Sequence, residues 1–274
     1  MENAVLLHEY KIAAKGVKKK TIYHFSDVHL TEYDALSSEN EKAKAVKETL
    51  YWENMRCEFA EKYNEPYIKE NETSTHTHLE NILSAAEEGD ALIITGDLCD
   101  YINGANLRTV QHKLSNFKKP FMYVLGNHEN KDEIPDNLCY SKIKNPVQML
   151  DLEDLIVLGF DNSARRITPQ QNAELKKALN TGKPLLIAMH VPIMTEDNRE
   201  LLLECGEYFR LNHKDATPEV FEFIDIIKQN REQIVAVLAG HLHFRNNTEI
   251  AKGVTQYVSS QGALGNINRY EIGV

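Results

Sequence analysis

The sequence has little from which a disulfide framework could be built. Its 274 residues include four cysteines, Cys57, Cys99, Cys139 and Cys205, widely scattered and without a CxxC pair. That pattern excludes a disulfide-stapled scaffold and suits free thiols in a reducing cytoplasm. Positive charge is also short: 31 Lys and Arg against 41 Asp and Glu leave a net charge of −10. Affinity for a long nucleic acid rests mainly on neutralised phosphates, so this balance argues against such a partner. No apolar run approaches the length of a membrane span. The first residues carry a carboxylate and lack the basic start and long apolar core of a signal peptide. Internal repeats, low-complexity tracts and a recognisable domain linker are absent as well. What is present is an ordinary globular composition, 42% hydrophobic and 26% charged, enough for one large α/β domain or two small ones.

Short apolar runs alternate with helical patterns. Leu6 to Ile12 reads as an edge strand, and Thr21 to Ser26 as a strand. Ser38-Glu39-Asn40-Glu41 has the spacing of a capping box and predicts a helix from there to about Tyr63. Val46/Leu50 and Trp52/Met55/Phe59/Tyr63 form its apolar stripe. A second helix carries Leu79, Ile82, Leu83 and Ala86 on one face, with Gly89 beyond it. Strands follow over 91–95, 121–125, 155–160, 185–189 and 234–238, with helices over 103–117, 169–179 and 218–230 between them. The tail from Thr248 reads as antiparallel strands, and the β-rich ends suggest a second sheet. Strands that are apolar on both faces require helical layers on either side, so the fold class is α/β.

Five ligand-rich turns punctuate this pattern, each directly after an apolar strand. They are Asp27-Val28-His29, Gly96-Asp97 with Asp100 close behind, Gly126-Asn127-His128-Glu129, His190, and Gly240-His241-Leu242-His243. Singly, each has an ordinary reading as a polar turn or a satisfied core histidine. Together they place carboxylate, carboxamide and imidazole at the carboxyl ends of strands, where open α/β sheets bind ligands. Those groups are the donors of Mn, Fe, Zn or Co. A carboxylate has two oxygens to bridge two cations, and Asp97 is the natural bridge. Asn127 supplies a neutral oxygen, and His190, His241 and His243 supply nitrogen. Two cations about 3.5–4 Å apart stabilise an in-line displacement at phosphorus. The remaining histidines, His8, His24, His112 and His213, read as structural or exposed, and His76 and His78 as solvated.

In order and completeness these blocks resemble the calcineurin-like metallophosphoesterase superfamily, whose pattern is D-x-H, G-D-x-x-D, G-N-H-[ED], a lone H and G-H-x-H. The resemblance spans about residues 21–262. It implies a four-layer αββα sandwich of two mixed β-sheets flanked by helices, as one domain over 1–274. It implies that Asp27, His29 and His243 bind one metal, Asn127, His190 and His241 the other, and that Asp97 bridges them. His128 is then the general acid on the leaving oxygen or stabilises the developing charge, and Asp100 is the group that orients and charges it. The reaction implied is hydrolysis of a small or medium phosphate monoester or diester by a metal-bridging hydroxide. A nuclease, or a catalytically silent binding module, are the alternatives. Net acidity counts against the first and the full ligand set against the second. Substrate choice is expected in two excursions on the active-site side. One is the helical insertion 38–88, whose first helix is expected to fold over or beside the cleft with Trp52, Tyr51 or Tyr63 facing a ring, packing on the sandwich being the alternative for Trp52. The other is 195–217, with Tyr208, Arg210 and His213. Arg165 and Arg166 are weaker candidates for phosphate contact.

Overall fold

A computed structural model describes residues 5–68 and 74–273. The first sheet contains β1 (Leu6–Ile12), β2 (Lys20–Phe25), β3 (Ala91–Ile94), β4 (Phe121–Tyr123) and β11 (Asn266–Ile272), in the order β1-β11-β2-β3-β4. The second contains β5 (Val147–Asp151), β6 (Ile156–Phe160), β7 (Leu185–Met189), β8 (Ile234–Ala239), β9 (Asn246–Ala251) and β10 (Val254–Val258), in the order β5-β6-β7-β8-β10-β9. The helices are α1 (Glu39–Lys62), α2 (Thr75–Ala86), α3 (Gly104–Asn116), α4 (Pro169–Leu179), α5 (Arg199–Cys205) and α6 (Pro218–Gln229). Among the described residues no helix is long and apolar enough to cross a membrane.

The period-two alternation of strand side chains sorts the core into layers. In β7, Leu185, Ile187 and Met189 pack with Leu175 of α4 and Phe223 and Ile227 of α6. Leu186 and Ala188 of the same strand face the other sheet, meeting a core that includes Ile22, Ile93, Met122 and Tyr270. On the far side, Phe25, Leu92 and Ile94 pack with Leu79 and Ile82 of α2 and Val110 of α3. The result is helix, sheet, sheet, helix: the αββα sandwich.

Local signals explain the helix starts. Ser38 caps α1 in a complete capping box with Glu41, and Thr168 does the same for α4 with Gln171. Three expectations are corrected. The chain ends do not make a separate sheet: β1 and β11 join the first sheet, and β9 and β10 extend the second. The tail is mixed, because β10 is antiparallel to β9 but parallel to β8, and β11 is antiparallel to β2 but parallel to β1. His78 is buried, because it lies on the face of α2 that also carries Leu79, Ile82 and Ala86.

α1 and α5 lie outside the four layers. Along its length α1 buries Ala45, Arg56 and Ala60, while Val46, Leu50 and Tyr51 are exposed. The expected apolar stripe is therefore used only from Trp52 onward.

Candidate metal centre

The turns after β2 and β3 run side by side. The N–H groups of Val28 and His29 donate to the Asp97 carbonyl, and Leu30 donates to Leu98. This holds Asp27, His29 and Asp97 at φ of 58°, 52° and 54°, while His241 and His243 sit at 73° and 61°. Non-glycine residues seldom adopt this left-handed region, so five of the seven expected ligands are held in strained backbone. Close approach sets the neighbouring residues. A Cβ on Gly126 would lie 1.9 Å from Oδ1 of Asp97, and one on Gly240 would lie 2.0 Å from Oγ of Ser26. Only glycine permits these contacts.

The structure brings all seven expected ligands together in two groups. Asp27, His29 and His243 form one, and Asp97, His190 and His241 form the other. Asn127 joins the second, its Oδ1 3.0 Å from Nε2 of His190. Asp97 lies between them, with Oδ2 3.2 Å from Nε2 of His190 and 4.0 Å from Nε2 of His29.

These donors fit cations. Nε2 of His29 and Nε2 of His243 face each other at 3.1 Å, and Nε2 of His190 faces Nδ1 of His241 at 3.2 Å. Two imidazole lone pairs at that distance repel unless a positive charge lies with them. Oδ1 of Asp27 is buried without a well-aligned donor, although Nε2 of His243 is 3.3 Å away. The outer ring nitrogens are committed elsewhere. Nδ1 of His190 donates to the Thr95 carbonyl at 2.6 Å, and Nε2 of His241 to the Tyr208 carbonyl at 3.1 Å. Each bond orients its ring so that the other nitrogen points inward.

Charge follows the same geometry. Burial works against the Asp97 carboxylate, but the imidazoles of His190 and His29 overcome it and hold its pKa below the ordinary value. Burial would likewise depress His190, yet the Asp97 carboxylate raises it to about 9. His241 is pushed down to about 3 by burial and by the neighbouring His190. Cys99 is buried with its thiol raised well above the usual range, by burial and by Glu129, so it is a neutral neighbour of the site.

His128 and Asp100 stand at the rim. Nδ1 of His128 donates to the Asp100 carbonyl at 2.9 Å and lies 3.3 Å from the Asp100 carboxylate. The same carboxylate oxygen lies 3.4 Å from Nδ1 of His29, so Asp100 connects the rim to the first group. Burial opposes the charged form of His128, but the Asp100 and Asp97 carboxylates outweigh it and raise the group to about 9.

Several supporting residues carried no assignment from sequence. Buried Glu129 accepts from the N–H groups of Asp97, Leu98, Cys99 and Gly126 and from the Tyr123 hydroxyl. It thereby stitches the Asp97 turn to the Asn127 turn, and its place in the G-N-H-E block was the available signal. Oδ1 of Asn162 accepts from the N–H groups of His190 and Val191, fixing the end of β7.

A cavity of about 220 Å³ opens over the centre. Trp52, Met55, Arg56 and Phe59 of α1 line one side, and Tyr208 and Phe209 line another. Trp52 stacks on His29, with ring centroids 5.8 Å apart and planes at 20°. The other aromatic candidates on α1 are placed elsewhere: Tyr51 is exposed and Tyr63 stacks on Phe244 at 3.9 Å. Of the second excursion, Tyr208 reaches the cavity. Arg210 is instead buried, donating to the Leu202 carbonyl, and His213 does not line the cavity. Arg165 donates to the Glu207 carbonyl and sits 5.3 Å from the Tyr208 ring.

The sequence matches the family model described as calcineurin-like phosphoesterase over residues 20–245. No curated protein matches. Among solved structures, a dimetal phosphatase from Danio rerio superposes with a TM-score of 0.58 at 10% identity, covering 89% of this chain and 88% of that one. A purple acid phosphatase from yellow lupin (Lupinus luteus) seeds gives 0.53 at 14% identity, covering 90% of this chain and 44% of that one. At such identities these two likenesses speak for the shared fold.

Proposed function

Since the chain belongs to the calcineurin-like phosphoesterase family, and is a hydrolase of phosphoester bonds, we propose that it hydrolyses a small or medium phosphate monoester or diester with two divalent cations. The observation that supports this reading is the convergence of the two donor groups on one cavity. One cation would be held by Asp27, His29 and His243 and the other by Asn127, His190 and His241, with Asp97 shared. When bound, the pair supplies Lewis-acid stabilisation of charge at phosphorus and acidifies a water. Mn, Fe, Zn and Co all accept this oxygen and nitrogen set, and availability decides among them.

The chain's own groups do the rest. The Thr95 and Tyr208 carbonyls engage the outer ring nitrogens of His190 and His241, which leaves the inner nitrogens facing the site. Asp97 accepts the His128 N–H at 2.9 Å, which ties the position of the acid to that of the shared carboxylate. With its Nδ1 engaged by Asp100, His128 has Nε2 left to hand a proton to the leaving oxygen. The nearby Asp100 carboxylate favours the charged imidazolium that this step requires. We further read 1–274 as one domain in which 38–88 is an inserted segment and α1 a cover over the centre. The four cysteines form no disulfide in the structure, which suits a reducing cytoplasm.

A panel of phosphomonoesters and phosphodiesters, run with Mn, Fe, Zn, Co and Ni separately, tests the reading. Turnover that requires a divalent cation and is lost on chelation is the expected result. Absence of turnover with every cation and ester would remove it.

A further inference from the structure

The floor of the cavity and its walls have opposite chemistry. Asp97, Asn127, His128, His241 and His243 make the floor, which is where a phosphoryl group would sit. Above it, Trp52, Met55 and Phe59 of α1 face Tyr208 and Phe209. Among the described residues Arg56 is the one Lys or Arg in the lining, and its guanidinium is buried and donates to the His29 carbonyl at 3.2 Å. Among the described residues a second or third phosphate would therefore meet along these walls only a guanidinium already engaged by the His29 carbonyl. A polyol would meet few groups to pair its hydroxyls, and unpaired buried hydroxyls are costly. At about 220 Å³ the space is also small, below the roughly 300–1,000 Å³ of most ligand pockets.

The walls are tied to the floor. The Phe209 ring lies 5.4 Å from the His241 ring, and the Tyr208 carbonyl takes the His241 N–H. On the α1 side, Tyr63 stacks on Phe244, and Glu65 accepts both the backbone N–H and Nε of Arg245, two residues beyond His243. The slot is thus built before substrate arrives, which lowers the ordering cost of binding.

Resting on the phosphoesterase reading, we propose that the substrate carries a compact apolar or aromatic leaving group, held between Trp52, Met55 and Phe59 on one side and Tyr208 and Phe209 on the other. These five side chains then set specificity, while the floor sets the chemistry.

The test uses hydrolysis-inert phosphonates on the full chain reconstituted with Zn²⁺, with affinities read by titration calorimetry. Benzylphosphonate is expected to bind roughly tenfold or more tightly than methylphosphonate, from the apolar area it buries. Hydroxymethylphosphonate should gain nothing over methylphosphonate. In Trp52→Ala and Tyr208→Ala the benzyl preference should fall to about twofold, as the wall is lost. Tyr208 is 48% exposed and belongs to no buried core cluster, so its truncation should leave the fold intact. Trp52 is the only tryptophan in the chain, and its emission should shift with benzylphosphonate. Equal affinity for the methyl and benzyl compounds overturns the slot while leaving the phosphoesterase reading standing. A benzyl preference retained in both variants, or an emission that ignores bound benzylphosphonate, also overturns it. Binding of neither phosphonate removes both.

Discussion

The floor of the cavity and its α1 wall are built by different means. The floor consists of strand-end turns whose backbone is over-determined. Left-handed residues, close glycine contacts and the Glu129 carboxylate fix Asp27, His29, Asp97, His241 and His243. One wall is α1, a 24-residue helix that buries Ala45, Arg56 and Ala60 and rests on the site through side chains such as Trp52. Chemistry that needs donors placed to a fraction of an ångström sits in backbone that cannot relax. Selection of a leaving group, as proposed, tolerates softer contacts and can be carried by the side chains of a helix.

The comparison breaks most visibly if the floor proves tolerant. Asp97→Ala should lower turnover of a chromogenic phosphoester by about 10³-fold or more, since it removes several kcal/mol of charge stabilisation. Cation content measured by elemental analysis should fall with it. His128→Ala should keep its cations yet slow turnover by about 10²–10⁴-fold, most for poor leaving groups. A leaving-group series separates the two outcomes: a steeper dependence in His128→Ala marks a lost proton donor, and an unchanged slope would remove that role.

This contrast also decides what was legible in the sequence. The runs Ala91 to Ile94 and Leu185 to Met189 announced buried strands because both of their faces are covered. The expected ligands were visible because each follows such a run. β5 was not visible: Val147-Gln-Met-Leu-Asp is an edge strand with a half-exposed face, and its partner is supplied by β6. α5 has seven residues and no side-chain cap, too little for a periodic pattern. The role of Glu129 was hidden because its partners are backbone N–H groups from another turn. Which residues of α1 face the cavity was equally hidden, because the stripe from Val46 to Tyr63 continues past the part that packs.

Glu129→Gln sharpens the comparison within the floor. The amide keeps the volume but has one acceptor oxygen where the carboxylate had two, and both carboxylate oxygens are used. Loosening the turns should cost about 10–100-fold in cation affinity or turnover, the range seen for groups that orient metal ligands. Cation titration of the variant reads this directly. Wild-type affinity would mean that the turns hold themselves.

The smallest effect lies beneath the floor and touches stability rather than turnover. His24 is fully buried between the Tyr270 hydroxyl and Thr95, at 3.1 and 2.8 Å. Burial, only partly offset by Asp27, lowers its pKa from 6.5 to about 3. The unfolded chain therefore takes up a proton near pH 6.5 that the folded chain refuses until about pH 3. Stability is insensitive to this group above the unfolded pKa and is lost as the pH falls between those values. Between pH 7 and pH 5 the loss should be about 2 kcal/mol, at 1.36 kcal/mol per unit below the unfolded pKa. His24→Gln, which retains a hydrogen-bonding side chain but does not titrate, should lack that increment in urea unfolding at the two pH values. If both proteins lose stability equally, His24 does not carry the acid sensitivity, and the support beneath the floor is less closed to protons than its burial indicates.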